Sequence, residues 1–158
     1  MRIFDIPNYG KIQINNIVFD VNGTIQFNGK IPKIIKRELK KLKNYFKIFL
    51  ISSDTRGNLK EIAQKLSISS IKISTSGISE AEAKNNEIIK LGEGETVAVG
   101  NGNNDHMMLK SAVLGIAILG EEGLASKTLQ NSDIVFSNCM DVIHFLMDEK
   151  KMIATLRN

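Results

Sequence analysis

Short apolar runs alternate with helical patterns along most of the chain. The runs IVFD, KIFLI, IKIS, TVAV, GIAIL and DIVF predict β-strands. Apolar residues at helical spacing predict helices over the basic segment 32–47, near 59–66, near 81–91, from about 104 to 113 and near 124–129. Alternating strands and helices call for parallel strands joined by right-handed crossovers, with helices on both faces. The pattern therefore predicts an α/β fold: a doubly wound, mostly parallel sheet in a three-layer, Rossmann-like sandwich.

Turn residues mark two hairpins in the first part of the chain. RIFDI and KIQIN flank a turn at Asn8-Tyr9-Gly10 and predict an N-terminal hairpin over about 1–15. Asn28-Gly29 lies between short β-prone flanks and predicts a second tight turn. This second turn belongs to the segment Gln26 to Lys30, which we name the flap. The flap follows closely on the first core strand, which is predicted to end at Asp20.

The length of the chain favours a single domain. Its 158 residues amount to about one domain. We expect one domain over 1–158, with a core over about 16–137 and a tail over about 138–158. The tail is expected to pack as a terminal helix or strand. Its residues expected to contact the core are Met152, Ile153 and Leu156.

The composition is that of a globular chain without a membrane span. Hydrophobic residues make up 42% and charged residues 24% of the sequence, and no stretch approaches the roughly 18 consecutive apolar residues of a membrane helix. The N-terminus lacks the apolar core of a signal peptide, so we expect a cytoplasmic protein with no membrane partner. The one cysteine, Cys139, cannot form an internal disulfide and is expected to be a small buried apolar residue.

The positive charge of the chain is confined to one segment. Between Lys30 and Lys47, eight lysines and arginines stand against Glu38 alone, a balance of +7 in a chain of net charge +4, which leaves −3 elsewhere. Apolar residues recur at helical spacing in this segment, so the lysines are predicted to form a solvated outer face. The residues predicted to face the core are Ile34, Ile35, Leu39, Leu42, Tyr45 and Phe46. No aromatic residues interleave with the lysines, which argues against a nucleic-acid partner.

Polar clusters follow three of the predicted strands. They are DVNGT at 20–24, SSDT at 52–55 and GNGNND at 100–105. Ligands of doubly wound sheets bind at the carboxyl ends of the strands, so the three clusters are expected to meet at one edge. No P-loop signature occurs, and Gly100-Asn101-Gly102 does not continue into G-x-G-x-x-G. These absences argue against a P-loop protein and against a dinucleotide-binding protein.

The three clusters, in this order, resemble the signature of the haloacid dehalogenase-like (HAD) phosphotransferase superfamily. That signature is D-x-D-G-T, a strand ending in Ser or Thr, a lysine, and G-D-G-x-x-D. Within the superfamily, IVFDVNGTI, SSD and GNGNND most resemble small soluble proteins related to the phosphorylation domain of P-type ATPases. The resemblance spans roughly Ile17 to Asp133. It implies an HAD core without a cap domain, because the gaps from Asp20 to Ser52 and from Ser52 to Lys84 are each filled by one helix and its flanking strand or flap.

The resemblance gives each cluster a role in phosphoryl transfer. It implies that Asp20 is the nucleophile, which forms an aspartyl-phosphate. Lys84 would neutralise charge on Asp20 and on the phosphoryl group. Ser52 would donate its hydroxyl to a phosphoryl oxygen, and the backbone at Ser53 and Gly23 would complete the phosphate-binding site.

Other lysines and the two histidines compete for roles in such a site. Lys72 and Lys90 are rivals of Lys84, and each is expected to be a surface lysine. His106 and His144 have no second ligand three or four residues away, so both are expected to face solvent or the core rather than a metal.

The resemblance implies Mg²⁺ as the cofactor. The ion would be held by the carboxylates of Asp20 and Asp105 and by the backbone carbonyl of Asn22, an all-oxygen set of the kind Mg²⁺ prefers. Asn22 and Asn101 stand where HAD phosphatases carry aspartates. Because an amide carries no charge and cannot transfer a proton, Asn22 cannot act as the general acid, and Asn101 weakens the metal site.

These residues imply a Mg²⁺-dependent phosphohydrolase or phosphotransferase that acts through Asp20. It is expected to be slow, and to favour acyl or aryl phosphates, because Asn22 replaces the general acid. An alternative is a catalytically impaired relative that binds phosphate or phosphoproteins, or that persists as an aspartyl-phosphate switch. A receiver-like phospho-switch ranks third, because a receiver domain carries its phosphoacceptor on the third strand.

The absence of a cap leaves the substrate side of the site open. The expected partner is a phosphorylated small molecule or a phosphoprotein. A homo-oligomer that closes the uncapped site through the flap is a further expectation.

Overall fold

Strands and helices alternate from residue 16 onward in the computed structural model, which describes residues 1–158. The strands are β1 (Arg2–Ile6), β2 (Gly10–Ile14), β3 (Asn16–Asp20), β4 (Lys47–Ser52), β5 (Ser69–Lys72), β6 (Thr96–Gly100), β7 (Leu114–Ile118) and β8 (Ile134–Phe136). The helices are α1 (Lys33–Leu42), α2 (Leu59–Leu66), α3 (Glu80–Leu91), α4 (His106–Ser111), α5 (Ser126–Gln130), α6 (Cys139–Met147) and α7 (Glu149–Leu156). Single 3₁₀ turns cover Glu93–Glu95 and Asn103–Asp105.

Six parallel strands form the central sheet, in the order β5-β4-β3-β6-β7-β8. From β3 the chain first adds strands on one side and then, at β6, begins to add strands on the other side. A crevice opens where the strand order reverses in this way, at the carboxyl ends of the two strands. The predicted doubly wound, mostly parallel sheet is confirmed. β1 and β2 pair antiparallel as a separate hairpin, as predicted for residues 1–15.

Side chains of successive strand residues point to opposite faces of the sheet. In β3, Ile17 and Phe19 join a cluster of 31 buried residues that includes apolar residues of α1, α2, α6, α7 and the hairpin. Val18 points to the opposite face, in a cluster of nine buried residues that includes Met108 and Leu109 of α4. This alternation is the period of two that a strand imposes on its side chains. Since β3 is buried on both faces, its sequence is almost continuously apolar.

The basic helix is shorter than the predicted segment 32–47. α1 ends at Leu42, because the chain must turn back to place Lys47 beside Asn16 at the start of β4. Phe46 is buried after the helix has ended, whereas Tyr45 is 49% exposed. The predicted core positions of Ile34 and Tyr45 are therefore wrong, since Ile34 is also 47% exposed. Helical periodicity continues by chance through a turn that the sheet requires.

Several other boundaries differ from the prediction by a few residues. The strand predicted at IKIS lies at Ser69–Lys72 instead, because it pairs as an edge strand with Phe49–Ser52. The helix predicted from 104 to 113 begins only at His106, after the tight turn at Asn103–Asp105. It ends at Ser111 because the Val113 N–H donates to the Thr96 carbonyl, at the entry to β7. The helix predicted near 124–129 lies at Ser126–Gln130.

The tail folds as two helices rather than one element. α6 and α7 are separated at Asp148, whose carboxylate accepts hydrogen bonds from the N–H groups of Lys150 and Lys151 and so starts α7. Met152 and Leu156 are buried. Cys139 is also buried, which raises the pKa of its thiol to about 12. None of the helices combines the length and apolar composition needed to cross a bilayer.

Gly115 offers a test of how tightly α4 packs on β7. A Cβ at this position would lie 2.3 Å from the backbone oxygen of Leu109, and backbone atoms cannot move aside as a side chain can. We expect Gly115→Ala to lower the free energy of unfolding by about 1–3 kcal/mol in urea titrations. Gly94→Ala is the matched control, because a Cβ there meets no atom within 4 Å. Equal effects of the two variants would contradict the packing described for α4.

Candidate active site

The polar clusters meet at the crevice between β3 and β6. Asp20 is the last residue of β3 and Gly100 is the last residue of β6, so both loops leave the sheet at the point where the strand order reverses. β4 pairs with β3 on the other side and ends at Ser52. The predicted convergence of the three clusters on one edge therefore matches the geometry of the sheet.

Lys84 joins two carboxylates from different parts of this edge. Its Nζ lies 2.7 Å from Asp20 Oδ1 and 2.7 Å from Asp105 Oδ1. All three side chains are buried, with Lys84 only 1% exposed and Asp105 fully buried. The position of Lys84 on α3 is set by the start of that helix, where Ser79 and Glu82 form a reciprocal capping box.

Burial and charge shift the titration of this triad. Burial raises the pKa of Asp20 to about 7, the negative charge of Asp105 adds to this increase, and the Lys84 ammonium opposes it. Burial alone would lower the pKa of Lys84, but the charges of Asp20 and Asp105 outweigh burial and raise it. Lys84 therefore stays protonated at neutral pH. An ionised Asp20 leaves the triad with one net negative charge.

The loop after β6 holds Asp105 in a fixed orientation. Asp105 Oδ2 accepts hydrogen bonds from the backbone N–H groups of Asn101 and Gly102, at 3.0 and 2.9 Å. A Cβ at Gly100 would lie 2.5 Å from the Asp105 carboxyl carbon, so only glycine leaves room for this carboxylate to fold back. The Gly-x-Gly of this cluster thus makes room for the Asp105 carboxylate and donates a hydrogen bond to it.

Thr24 connects Asp20 with Asn101 and was not among the predicted site residues. Its buried hydroxyl lies 3.4 Å from Asp20 Oδ2 and donates to Asn101 Oδ1 at 3.2 Å. Asn101 is also buried, and its amide nitrogen donates to the Gly123 carbonyl at 3.4 Å. The threonine of DVNGT was the signal in the sequence, because it follows Asp20 by four residues and returns to the same edge.

The loop after β4 organises Ser52 and accounts for Lys72. The Ser52 hydroxyl is buried and accepts the N–H of Asp54 at 3.0 Å. Asp54 accepts the N–H of Leu59 at the start of α2 and lies 3.5 Å from the Lys72 ammonium. Ser53 is half-buried at the same turn. Lys72 therefore pairs with Asp54 and not with Asp20.

The other predicted or rival residues lie nearer the surface. Asn22 is exposed and borders a small cleft of about 10 Å³ between the loops after β3 and β4, which Ser52 also lines. Lys90 is paired with Glu87 on the outer face of α3. His106 is hydrogen-bonded through Nδ1 to the Asn103 carbonyl at 2.6 Å. Half-buried His144 lies in α6.

The oxygen donors at this edge suit a hard cation. Asp20, Asp105 and the Asn101 amide oxygen are all hard donors of the type found around Mg²⁺. No group of three or more His, Cys, Asp or Glu side chains is close enough to hold a metal ion. Both oxygens of Asp105 already accept hydrogen bonds, whereas Asp20 Oδ2 has only the long contact with Thr24. The donor set therefore fits Mg²⁺ in chemistry but supplies few carboxylates, and Asp20 has the most free acceptor capacity.

Glu122 is a carboxylate near the site that sequence analysis missed. Gly23 has φ +78, and a Cβ there would lie 2.6 Å from a Glu122 carboxylate oxygen and 2.8 Å from the Asn101 amide nitrogen. Glu122 belongs to the loop after β7 and thus lies over the loop after β3. No motif marked this glutamate, because only the folded sheet brings the two loops together.

The fold is shared with solved phosphatases. The structure of 3-deoxy-D-manno-octulosonate 8-phosphate phosphatase from Moraxella catarrhalis, with magnesium, phosphate and KDO, matches with a TM-score of 0.70 and 18% identity, over 91% of this chain and 94% of that chain. The cobalt-bound enzyme of Haemophilus influenzae matches with a TM-score of 0.71 and 12% identity, over 92% and 94%. The chain therefore has the uncapped HAD fold.

A P-type ATPase domain is a further structural neighbour. The catalytic domain of the CPx-ATPase CopB-B matches with a TM-score of 0.60 and 25% identity, over 75% of this chain and 46% of that chain. This likeness agrees with the resemblance of the motifs to the phosphorylation domain of such pumps.

Among curated proteins, Uncharacterized protein MJ0073 of Methanocaldococcus jannaschii is 47% identical over 62 residues, which cover 39% of this chain and 67% of that protein. The chain belongs to the same family as MJ0073. No protein-family model matches the chain.

The raised pKa of Asp20 predicts a pH-dependent effect of Asp20→Asn on stability without metal. The pKa of Asp20 is 3.8 in the unfolded chain and about 7 in the folded chain. The stability that the protonated carboxyl contributes is therefore fully present below pH 3.8 and is lost as the pH rises through about 7. We expect Asp20→Asn to stabilise the chain by about 2–4 kcal/mol at pH 8 and by much less at pH 5. Urea unfolding in EDTA measures both, with exposed Asp5→Asn as control. A larger gain at pH 5 would contradict the electrostatics described for the triad.

Proposed function

We propose that the chain is a Mg²⁺-dependent phosphohydrolase or phosphotransferase that acts through an aspartyl-phosphate on Asp20. The observation that carries the proposal is the buried triad of Asp20, Lys84 and Asp105 at the crevice where the strand order reverses. A carboxylate held at a ligand-binding edge, next to a permanently charged ammonium, has the properties of a nucleophile toward phosphorus. The phosphatase neighbours share the fold that presents it.

The proposed reaction needs no proton donor when the leaving group is a good one. An ionised Asp20 oxygen attacks phosphorus and forms the new P–O bond while the bond to the leaving oxygen breaks. The leaving group departs as a carboxylate or a phenolate with the electron pair. Lys84 stays protonated and offsets negative charge at Asp20 and at the phosphoryl oxygens. Ser52 donates its hydroxyl to one of these oxygens.

Mg²⁺ would be held by Asp20, by Asp105 and by the backbone carbonyl of Asn22, with the Asn101 amide oxygen as a neutral donor. When bound, the cation offsets the repulsion between the carboxylate and an anionic phosphate. With Asp20 ionised, the triad carries one net negative charge, which repels an anionic phosphate. A bound cation would reduce that repulsion.

The second candidate function is a phosphate-binding or phospho-switch protein that turns over poorly. The exposed amide of Asn22 and the buried amide of Asn101 favour it, since neither can transfer a proton. In both candidates Asp20 accepts a phosphoryl group from an activated donor, and the difference lies in whether water then removes it. Assembly into a homo-oligomer through the flap and a cytoplasmic location stay predictions.

Acetyl phosphate tests the nucleophile. After incubation with acetyl phosphate and Mg²⁺, we expect the intact mass to rise by one phosphoryl group, or phosphate to be released, and both signals to vanish in Asp20→Ala. Asp5→Ala, on the exposed hairpin, is the matched control and keeps them. A stable adduct with little release identifies the switch. If Asp20→Ala retains either signal, or the unmodified chain gives neither, the proposed function is wrong.

Restoring one carboxylate tests the missing general acid. Asn22 is exposed beside the cleft, so Asn22→Asp changes little else, and we expect turnover of an alkyl phosphate to rise by about 10²–10⁴-fold. Adding Asn101→Asp should strengthen Mg²⁺ binding but lower stability, because Asn101 would no longer donate to the Gly123 carbonyl. Exposed Asn86→Asp supplies the same charge on α3 as a control. No gain in Asn22→Asp means that the acid is not what limits turnover.

A further inference from the structure

A groove of about 490 Å³ lies between α1 and α2, beside the flap. Its wall carries Lys30 of the flap, Lys33 and Lys36 of α1, and Lys65 of α2. We name it the basic groove. Lys30, Lys33 and Lys36 belong to the basic segment whose lysines were predicted to form a solvated outer face, and the structure brings these three to one cavity.

The charges of the basic groove are largely unpaired. Glu61 is the one acidic residue in its wall, and it pairs with Lys65. Lys30, Lys33 and Lys36 form no ion pair. Concentrated positive charge in a concave surface attracts anions.

The other basic residues of the same segment are paired with Glu38 or lie outside the groove. Arg37 and Lys41 lie 2.8 and 2.9 Å from buried Glu38, and neither lines the groove. Lys40, Lys43 and Lys47 form no ion pair either, but they lie outside the groove. Lys30, Lys33 and Lys36 are therefore the unpaired lysines of this segment that share one concave surface.

The basic groove adjoins the small cleft at the carboxyl end of β4. Gln26 and Asn58 line both the groove and the small cleft that Ser52 borders. Gln26 is buried and its amide donates to the Gly29 carbonyl at 3.0 Å, which ties the flap to this junction. Arg56, which lines the cleft, also reaches the flap, because its guanidinium lies 3.0 Å from the Cβ position of Gly29. A substrate with its phosphate near Ser52 can thus extend its leaving group into the groove.

We propose that the basic groove binds a second phosphate group on the leaving group of the substrate, so that the substrates are organic bisphosphates. This inference rests on the proposed function, since it assigns the far end of the same substrate. With Asp20 ionised, the triad carries net negative charge and attracts a phosphate poorly by itself. Lys30, Lys33 and Lys36 supply the attraction at the other end.

Two aryl phosphates test the proposal, because phenolate leaving groups need no general acid. We expect 1,4-phenylene bisphosphate to be hydrolysed with a kcat/KM about tenfold or more above that of phenyl phosphate, beyond the twofold expected from its two equivalent phosphates. Lys33→Glu combined with Lys36→Glu should remove this preference and leave phenyl phosphate turnover unchanged. Lys40→Glu, exposed on the same helix but outside the groove, is the charge control and keeps the preference.

A binding measurement separates failure of this proposal from failure of the proposed function. Calorimetric titration with each compound reports binding whether or not turnover occurs. Tighter binding of the bisphosphate that depends on Lys33 and Lys36, with neither hydrolysis of the two compounds nor phosphorylation of Asp20 by acetyl phosphate, overturns the proposed function and keeps the groove as a phosphate site. Three results would overturn the groove proposal. The first is hydrolysis of phenyl phosphate without a preference for the bisphosphate, and the second is equal binding of the two compounds. The third is a preference that Lys40→Glu removes as fully as the double variant does.

Discussion

The contact of the Lys84 ammonium with Asp20 and Asp105 is the constraint on which the rest of the site depends. Removing the Lys84 ammonium would leave two buried carboxylates without a compensating charge, which is strongly destabilising. The two carboxylates follow neighbouring strands, β3 and β6, while the ammonium comes from α3 on one face of the sheet. The triad therefore fixes the position of α3 against the carboxyl edge. The capping box at Ser79 and the bare backbone at Gly100 make that placement sterically feasible.

A buried charged triad is nevertheless a weak explanation of stability. Well-packed apolar residues of similar volume commonly hold a fold as well or better. The fold already has extensive apolar clusters on both faces of the sheet, and the triad lies at the edge, where the strand order reverses. Its placement is better explained by chemistry at Asp20 than by packing. The pKa of Asp20 is raised first by burial and then by the negative charge of Asp105, and the Lys84 ammonium only partly offsets the two.

Sequence reasoning identified most of the fold and the three polar clusters that meet at its carboxyl edge, because both follow local rules. Apolar runs reveal buried strands, and residues that end parallel strands must meet at one edge, which brings Asp20 and Ser52 together. The register of an edge strand such as β5 depends on its partner, and the end of α1 depends on where β4 must begin, so periodicity misplaced both. Glu122 and the basic groove depend on which loops and helices approach in space, which no local pattern encodes.

The amides of Asn22 and Asn101 and the basic groove have complementary roles in the two proposals: the amides bear on the bond that breaks, and the groove bears on the far end of the substrate. In the proposed reaction, Asn22 and Asn101 supply neither proton transfer nor negative charge, so that reaction relies on a leaving group that departs unaided. Away from the reaction centre, free lysines concentrate positive charge where the leaving group would extend. A good leaving group makes the bond easy to break but provides no selectivity. In this proposal, recognition of the far end of the leaving group would supply the discrimination that an open, uncapped site lacks.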